Sequence, residues 1–210
     1  MEEKLFKGIK NNKVIISGTI LQEMKLNYEK LGEKFFEYMV QVERLSGAYD
    51  ILPIMISERL IVNRDMTTGD EINIIGQLRS YNRIVDGKSK LILMIFAQAF
   101  LEEKPKNPNE IFLNGYICKP TNYRTTPLNR EIADLLIAVN RDYKKSDYVP
   151  CIAWGRNARF VKEIKVGDKI SLCGRIQSRE YQKKLSETET KTMTAYEVSI
   201  SSLSVGEWED

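Results

Sequence analysis

The chain has 210 residues, 42% of them hydrophobic and 29% charged, with a formal net charge of +3 and no histidine. That balance excludes wholesale disorder and suits a chain able to bury a core. Losing histidine removes the commonest general acid–base group and the commonest metal ligand, so a binding module is expected rather than an enzyme, with no cofactor and no metal.

The N-terminus, Met1-Glu2-Glu3-Lys4, opens no basic-then-apolar leader, and no stretch of the chain reaches the 18 or more apolar residues of a membrane span. Cys118, Cys151 and Cys173 have no CxxC or zinc-ligand spacing, and an odd number cannot pair completely within one chain. A reducing, cytoplasmic setting with no membrane contact is expected. No P-loop, dinucleotide fingerprint, nucleophile elbow or EF-hand loop is found.

Along the chain the first segment with strand alternation, Val14-Ile15-Ile16-Ser17-Gly18, returns 97 residues later as Ile111-Phe112-Leu113-Asn114-Gly115. At the same shift Gly18, Ile20, Leu31, Val42, Arg44, Asp50, Pro53 and Arg59 recur as Gly115, Ile117, Leu128, Val139, Arg141, Asp147, Pro150 and Arg156. After one inserted residue, Gly69-Asp70-Glu71-Ile72 matches Gly167-Asp168-Lys169-Ile170, and Gly76 matches Gly174. The polar, proline-bearing stretch from Lys104 to Asn109 separates two domains, expected over 1–104 and 109–210. In the second copy strands are expected near 110–118, 131–143, 147–154, 168–180 and 192–204, with a short helix over 157–164. Five strands with a helix between the third and fourth describe an OB barrel, so the fold class is all-β with short helices, two tandem five-stranded OB barrels. Gly115 and Gly174 fall inside strand patterns, where a bulge or sharp bend is expected.

Charge is concentrated in the second copy. Residues 141–184 hold twelve Lys or Arg against five Asp or Glu, whereas 185–210 hold one Lys against six acids. Tyr143, Tyr148, Trp154 and Tyr181 are interleaved there with Lys144, Lys145, Arg156, Arg159, Arg175, Arg179, Lys183 and Lys184. Flat rings for unstacked bases and cations for phosphates are the two components of single-strand binding. In the third strand Val149, Cys151 and Ala153 alternate with Tyr148, Ile152 and Trp154. The small apolar row is sized for a barrel interior, which puts the aromatic row outside. The competing reading makes Trp154 and the tyrosines ordinary packing residues and the basic run a solvated face.

At these residues the second copy resembles the bacterial single-stranded DNA-binding protein family. The resemblance is carried by Phe112 to Gly115, Tyr123 to Pro127, Ile137 to Arg141, Asp147 to Gly155, Val166 to Ile170 and Gly174 to Tyr181. It implies base stacking on Tyr143, Tyr148, Trp154 and Tyr181, with Arg124, Arg156 and Arg179 near the DNA path. Lys144, Lys183 and Lys184 join that set from the residue pattern, the last two at the start of the loop after the fourth strand. The resemblance also implies a homodimer with four barrels. Two departures stand out: the chain stops at Gly206-Glu207-Trp208-Glu209-Asp210 without a long flexible tail, and the first copy has Ile51, Ser57 and Arg83 where the second has Tyr148, Trp154 and Tyr181. The first barrel is therefore expected to be structural or dimerising, with Tyr49 and Tyr81 as partial substitutes.

The expected function is binding of single-stranded DNA with little sequence preference in replication, repair or recombination. RNA is an alternative ligand, since stacking does not distinguish the sugars. A tandem-barrel scaffold similar to primosomal replication protein N, bridging replication or recombination proteins, is a second reading, and a carboxylate-dependent nuclease a third.

Overall fold

A computed structural model describes residues 11–85, 87–141, 144–184 and 190–206. The first half comprises β1 (Asn12–Ile20), β2 (Lys25–Lys30), β3 (Glu33–Glu43), β4 (Tyr49–Ser57), α1 (Glu58–Ile61), β5 (Glu71–Val85) and β6 (Lys88–Phe100). The second half repeats the order as β7 (Asn109–Ile117), β8 (Asn122–Thr125), β9 (Glu131–Asn140), β10 (Ser146–Trp154), α2 (Arg156–Val161), β11 (Lys169–Lys184) and β12 (Thr190–Val205).

Five strands close each barrel. In the first, β1 joins β3, β3 joins β4, β4 joins β6 in parallel, β6 joins β5, and β5 returns to β1. The second repeats the circuit through β7, β9, β10, β12 and β11, again with one parallel pair, β10 with β12. Closure leaves no barrel edge unpaired, which suits strands that alternate one apolar face inward. The tandem OB architecture follows. Each half also carries a short sixth strand absent from the five-strand expectation, β2 and β8, each hydrogen-bonded to the outer edge of the strand that follows it.

Gly115 and Gly174 mark close approaches between strands. A Cβ on Gly115 would lie 2.6 Å from the Ala138 carbonyl oxygen, and one on Gly174 2.3 Å from that of Ser199. Register shifts next to Gly174 and next to its counterpart Gly76, so the bulge falls at the same place in both barrels. Isoleucine, leucine and valine from both halves fill one continuous interior.

The barrels meet through β1 and β7, which pair antiparallel with Val14 opposite Ile111. Because these are equivalent strands running in opposite directions, the two barrels are related by an approximate two-fold axis. A reciprocal exchange of carboxylates reinforces it. Asp147, fully buried, reaches from β10 to the first barrel, accepting from the Ser80 amide and from Arg79, with Arg141 of its own barrel completing the cluster. Asp50, equally buried, reaches from β4 to the second barrel, accepting from the Ser178 amide at 2.7 Å and lying 3.4 Å from Arg175, with Arg44 beside it. A carboxylate is tolerated at such depth only when its lone pairs are taken up by donors and countercharge. The same proximity acts on the arginines. Its hydrogen bond to Asp50 raises the pKa of Arg44, while burial lowers that of Arg175.

Candidate nucleic-acid interface

On β10 the alternation divides cleanly at the residues that matter. Val149, Cys151 and Ala153 are buried in the barrel interior, whereas Tyr148 and Trp154 are 44% and 41% exposed. Trp154 is therefore not a core residue. Ile152, on the same outward row, is buried, and so is Ile132, the cross-strand partner of Trp154 on β9. Neither belongs to the interior cluster. They form an apolar floor on the outside of the barrel, and the indole stands beside it.

Tyr181 stands on β11, 39% exposed, with the Arg179 guanidinium 5.9 Å from its ring centroid. That cation also lies 3.8 Å from the Glu197 carboxylate. Arg124 is engaged by Asp134 at 2.8 Å, so its charge is partly compensated on the surface. Arg156, at the start of α2, is exposed and has no ion-pair partner among the described residues. Lys144 is exposed in a left-handed turn at φ 58°. The backbone of Lys183 and Lys184 continues β11, opposite Lys191 and Thr190. Tyr143 lies outside the described residues.

Two members of the basic run do not serve the outer face as free cations. Arg141 and Arg175 direct their guanidinium groups to Asp147 and Asp50 at the seam between the barrels. Composition alone counts them as surface charge, because the partner of Arg175 lies 125 residues away.

A further aromatic escaped the basic zone. Tyr116, 39% exposed on β7, stands opposite Ala138, which stands opposite Tyr148, so two tyrosines flank one alanine across three strands. Its signal was present in the sequence: Ile111, Leu113, Gly115 and Ile117 point inward, which turns Tyr116 out.

In the first barrel the matched positions are differently used. Ser57 is buried, donates to Glu33 and accepts from the Arg59 amide at 3.2 Å as the N-cap of α1. Ile51 is half-buried beside the Ser178 hydroxyl, and Arg83 is exposed. Tyr49 and Tyr81 are 55% and 40% exposed. No group of three or more Cys, Asp or Glu side chains is gathered within metal-binding reach among the described residues, and no helix there is long and apolar enough to cross a membrane.

Residues 108–204 match the model of the single-strand binding protein family. Among curated relatives, single-stranded DNA-binding protein 3 of Streptococcus agalactiae is 33% identical over 81 residues, covering 35% of this chain and 59% of that protein. Single-stranded DNA-binding protein 1 of Streptococcus pyogenes is 32% identical over 81 residues, covering 35% and 62%. The chain thus spans somewhat more than half the length of these relatives. The wild-type single-stranded DNA binding protein from Thermus aquaticus superposes with a TM-score of 0.74 at 18% identity, covering 95% of this chain and 94% of that one, a likeness of fold across both barrels.

Proposed function

We propose that the chain, whose residues 108–204 match the single-strand binding protein family, binds single-stranded DNA by stacking bases on Tyr148, Trp154 and Tyr181, with Tyr143 as a fourth platform. Arg124, Lys144, Arg156, Arg179, Lys183 and Lys184 contact the phosphates. The observation that carries the reading is the exposure of three large flat side chains on the second barrel, one of them with a guanidinium 5.9 Å from its ring. A ring that packs no core and yet stays about 40% open is available to a base.

Each stacked base contributes about 1–3 kcal/mol and any base qualifies, so little sequence preference is expected. Phosphate contacts release counterions, giving a fall in affinity with salt at a log–log slope of roughly −0.7 per contact. The protein acts by binding, without catalysis, in replication, repair or recombination within the cytoplasm. A homodimer would present four barrels to a long strand. RNA competes to the extent that stacking dominates, and competition between matched DNA and RNA strands measures this.

Fluorescence titration with oligo-dT tests the reading. Trp154 and Trp208 are the two tryptophans of the chain, so Trp208→Phe leaves the indole of interest as the reporter. Quenching on addition of strand is the expected result. Unchanged fluorescence, together with no retention of the strand on a native gel at low salt, would sink it and favour a protein-bridging scaffold.

A further inference from the structure

We propose that the first barrel carries its own nucleic-acid subsite, whose aromatic rings occupy none of the second barrel's stacking positions, and that a single strand passes into it across the seam. The inference rests on the strand-binding reading of the second barrel. Its centre is a cleft of about 590 Å³ on the outer face of the first barrel. Tyr28, Tyr81, Met55, Met94 and Phe96 supply the apolar walls.

The strand register explains how these residues meet. Phe35 on β3 stands opposite Tyr28 on β2, and the rings stack with centroids 4.7 Å apart and planes 17° from parallel. Phe96 packs on the other side of Phe35 at 5.6 Å, and Met55 stands opposite Phe96. Phe35, Met55, Met94 and Phe96 form a small apolar cluster separate from the barrel interior. Arg79, Tyr81 and Arg83 alternate along the outward face of β5 beside it. Tyr28 and Tyr81 remain 39% and 40% exposed. The repeat puts Thr125 at the place of Tyr28 and Arg179 at that of Tyr81, so the two exposed rings have no aromatic counterpart in the second barrel.

Charge selects the ligand. Arg79, Arg141 and Lys145 line the seam side of the cleft. Arg79 and Arg141 share the single carboxylate of Asp147, which leaves positive charge over, and Lys145 is exposed. Beyond the tyrosines, a neighbouring groove carries Lys25, Lys30 and Arg83, with Glu37 as the acid among its lining residues. An apolar peptide would use the walls and gain nothing from cations at both ends, whereas a strand uses rings for bases and cations for phosphates. Continuity comes from the seam itself. Arg141 and Lys145 of the second barrel line the cleft itself, and the Tyr148 amide donates to the Ser80 hydroxyl at 2.7 Å where β10 passes β5.

The test uses the full chain carrying Trp208→Phe, with Trp154 reporting on the second barrel. Tyr28→Leu with Tyr81→Leu removes both flat faces while keeping apolar bulk, and Lys30→Glu with Arg83→Glu reverses exposed charges of the first barrel without touching the packing. Oligo-dT of about 8 nucleotides, within the range one OB fold holds, and of about 30 nucleotides are compared. Both variants are expected to bind the short strand unchanged and the long strand about tenfold or more weaker. A 5-iodo-deoxyuridine strand should photocrosslink to the peptides bearing Tyr28 or Tyr81. If Trp154 is quenched at both lengths while both variants bind the long strand as tightly as the parent and no crosslink forms, the subsite is overturned and the second barrel's role stands. Absence of Trp154 quenching at either length removes that role and this subsite together.

Discussion

The two barrels agree wherever the chain packs against itself and differ wherever it meets solvent. Both close through the same circuit of strands, and both send a buried aspartate across the seam to an amide and an arginine of the other barrel. On the outer face the positions of Ile132, Ile152 and Trp154 are taken in the first barrel by Phe35, Met55 and Ser57. Bulk has moved. Where the second barrel keeps a low aliphatic floor and lets one indole stand out, the first raises the floor with Phe35 and Met55 and turns its outer position into a helix cap. Closure and charge pairing constrain the interior and the seam jointly, whereas a solvent face tolerates any arrangement that does not cost stability.

The largest expected effect breaks what the barrels share. Asp147→Ala and Asp50→Ala each leave arginines and a buried amide without their acceptor, and each should destabilise the fold on the order of 3 kcal/mol. Chemical denaturation checks this, and markedly unequal losses would contradict the pseudo-symmetric seam. Next come substitutions that separate the barrels at one matched position. Trp154→Ala should weaken strand binding by about 1–3 kcal/mol while costing far less stability than the roughly 3–5 kcal/mol of a core truncation. Ser57→Ala should do the reverse, lowering stability by about 1 kcal/mol through loss of the cap while leaving short-strand binding intact. Paired binding isotherms and thermal melts distinguish the two patterns.

A smaller effect concerns charge. Arg156→Ala should reduce the magnitude of the salt slope by about 0.7, and Arg124→Ala by less, because Asp134 already engages that guanidinium. The smallest concerns the thiols, all on the second barrel. Burial raises the pKa of Cys118, Cys151 and Cys173, so each is protonated at neutral pH, and only the thiolate attacks an alkylating reagent. Labelling of half-buried Cys118 and Cys173 should therefore speed up as pH rises. Cys151, fully enclosed, should label only on unfolding, as mass spectrometry of digests at two pH values would reveal.

Much of the fold was readable because its signals are local. A 97-residue shift, alternation and turn glycines identify two barrels, and period-two patterning tells the inward face of β10 from the outward one. Tyr116 is equally legible from the alternation of β7, but it lies outside the basic stretch that marks the other rings. Other features were hidden by their nature. The repeat contained Arg44 with Asp50 and Arg141 with Asp147 as matched pairs, yet nothing local distinguishes a surface pair from one that bridges two domains. The first barrel's aromatics were hidden for a similar reason. Tyr28 and Phe35 come from one hairpin and Tyr81 and Phe96 from another, and only the packing of the two hairpins brings their rings together.

By itself the sequence determined the number of barrels, the strand faces and the outward placing of Tyr148 and Trp154, since each follows from the period of a strand and the chemistry of a side chain. Tertiary structure alone decided which cations are free, which carboxylates join the halves, and that the first barrel has an aromatic cleft. Those properties depend on contacts between strands distant in the chain, and the energy of a charge or a ring is set by what surrounds it in space.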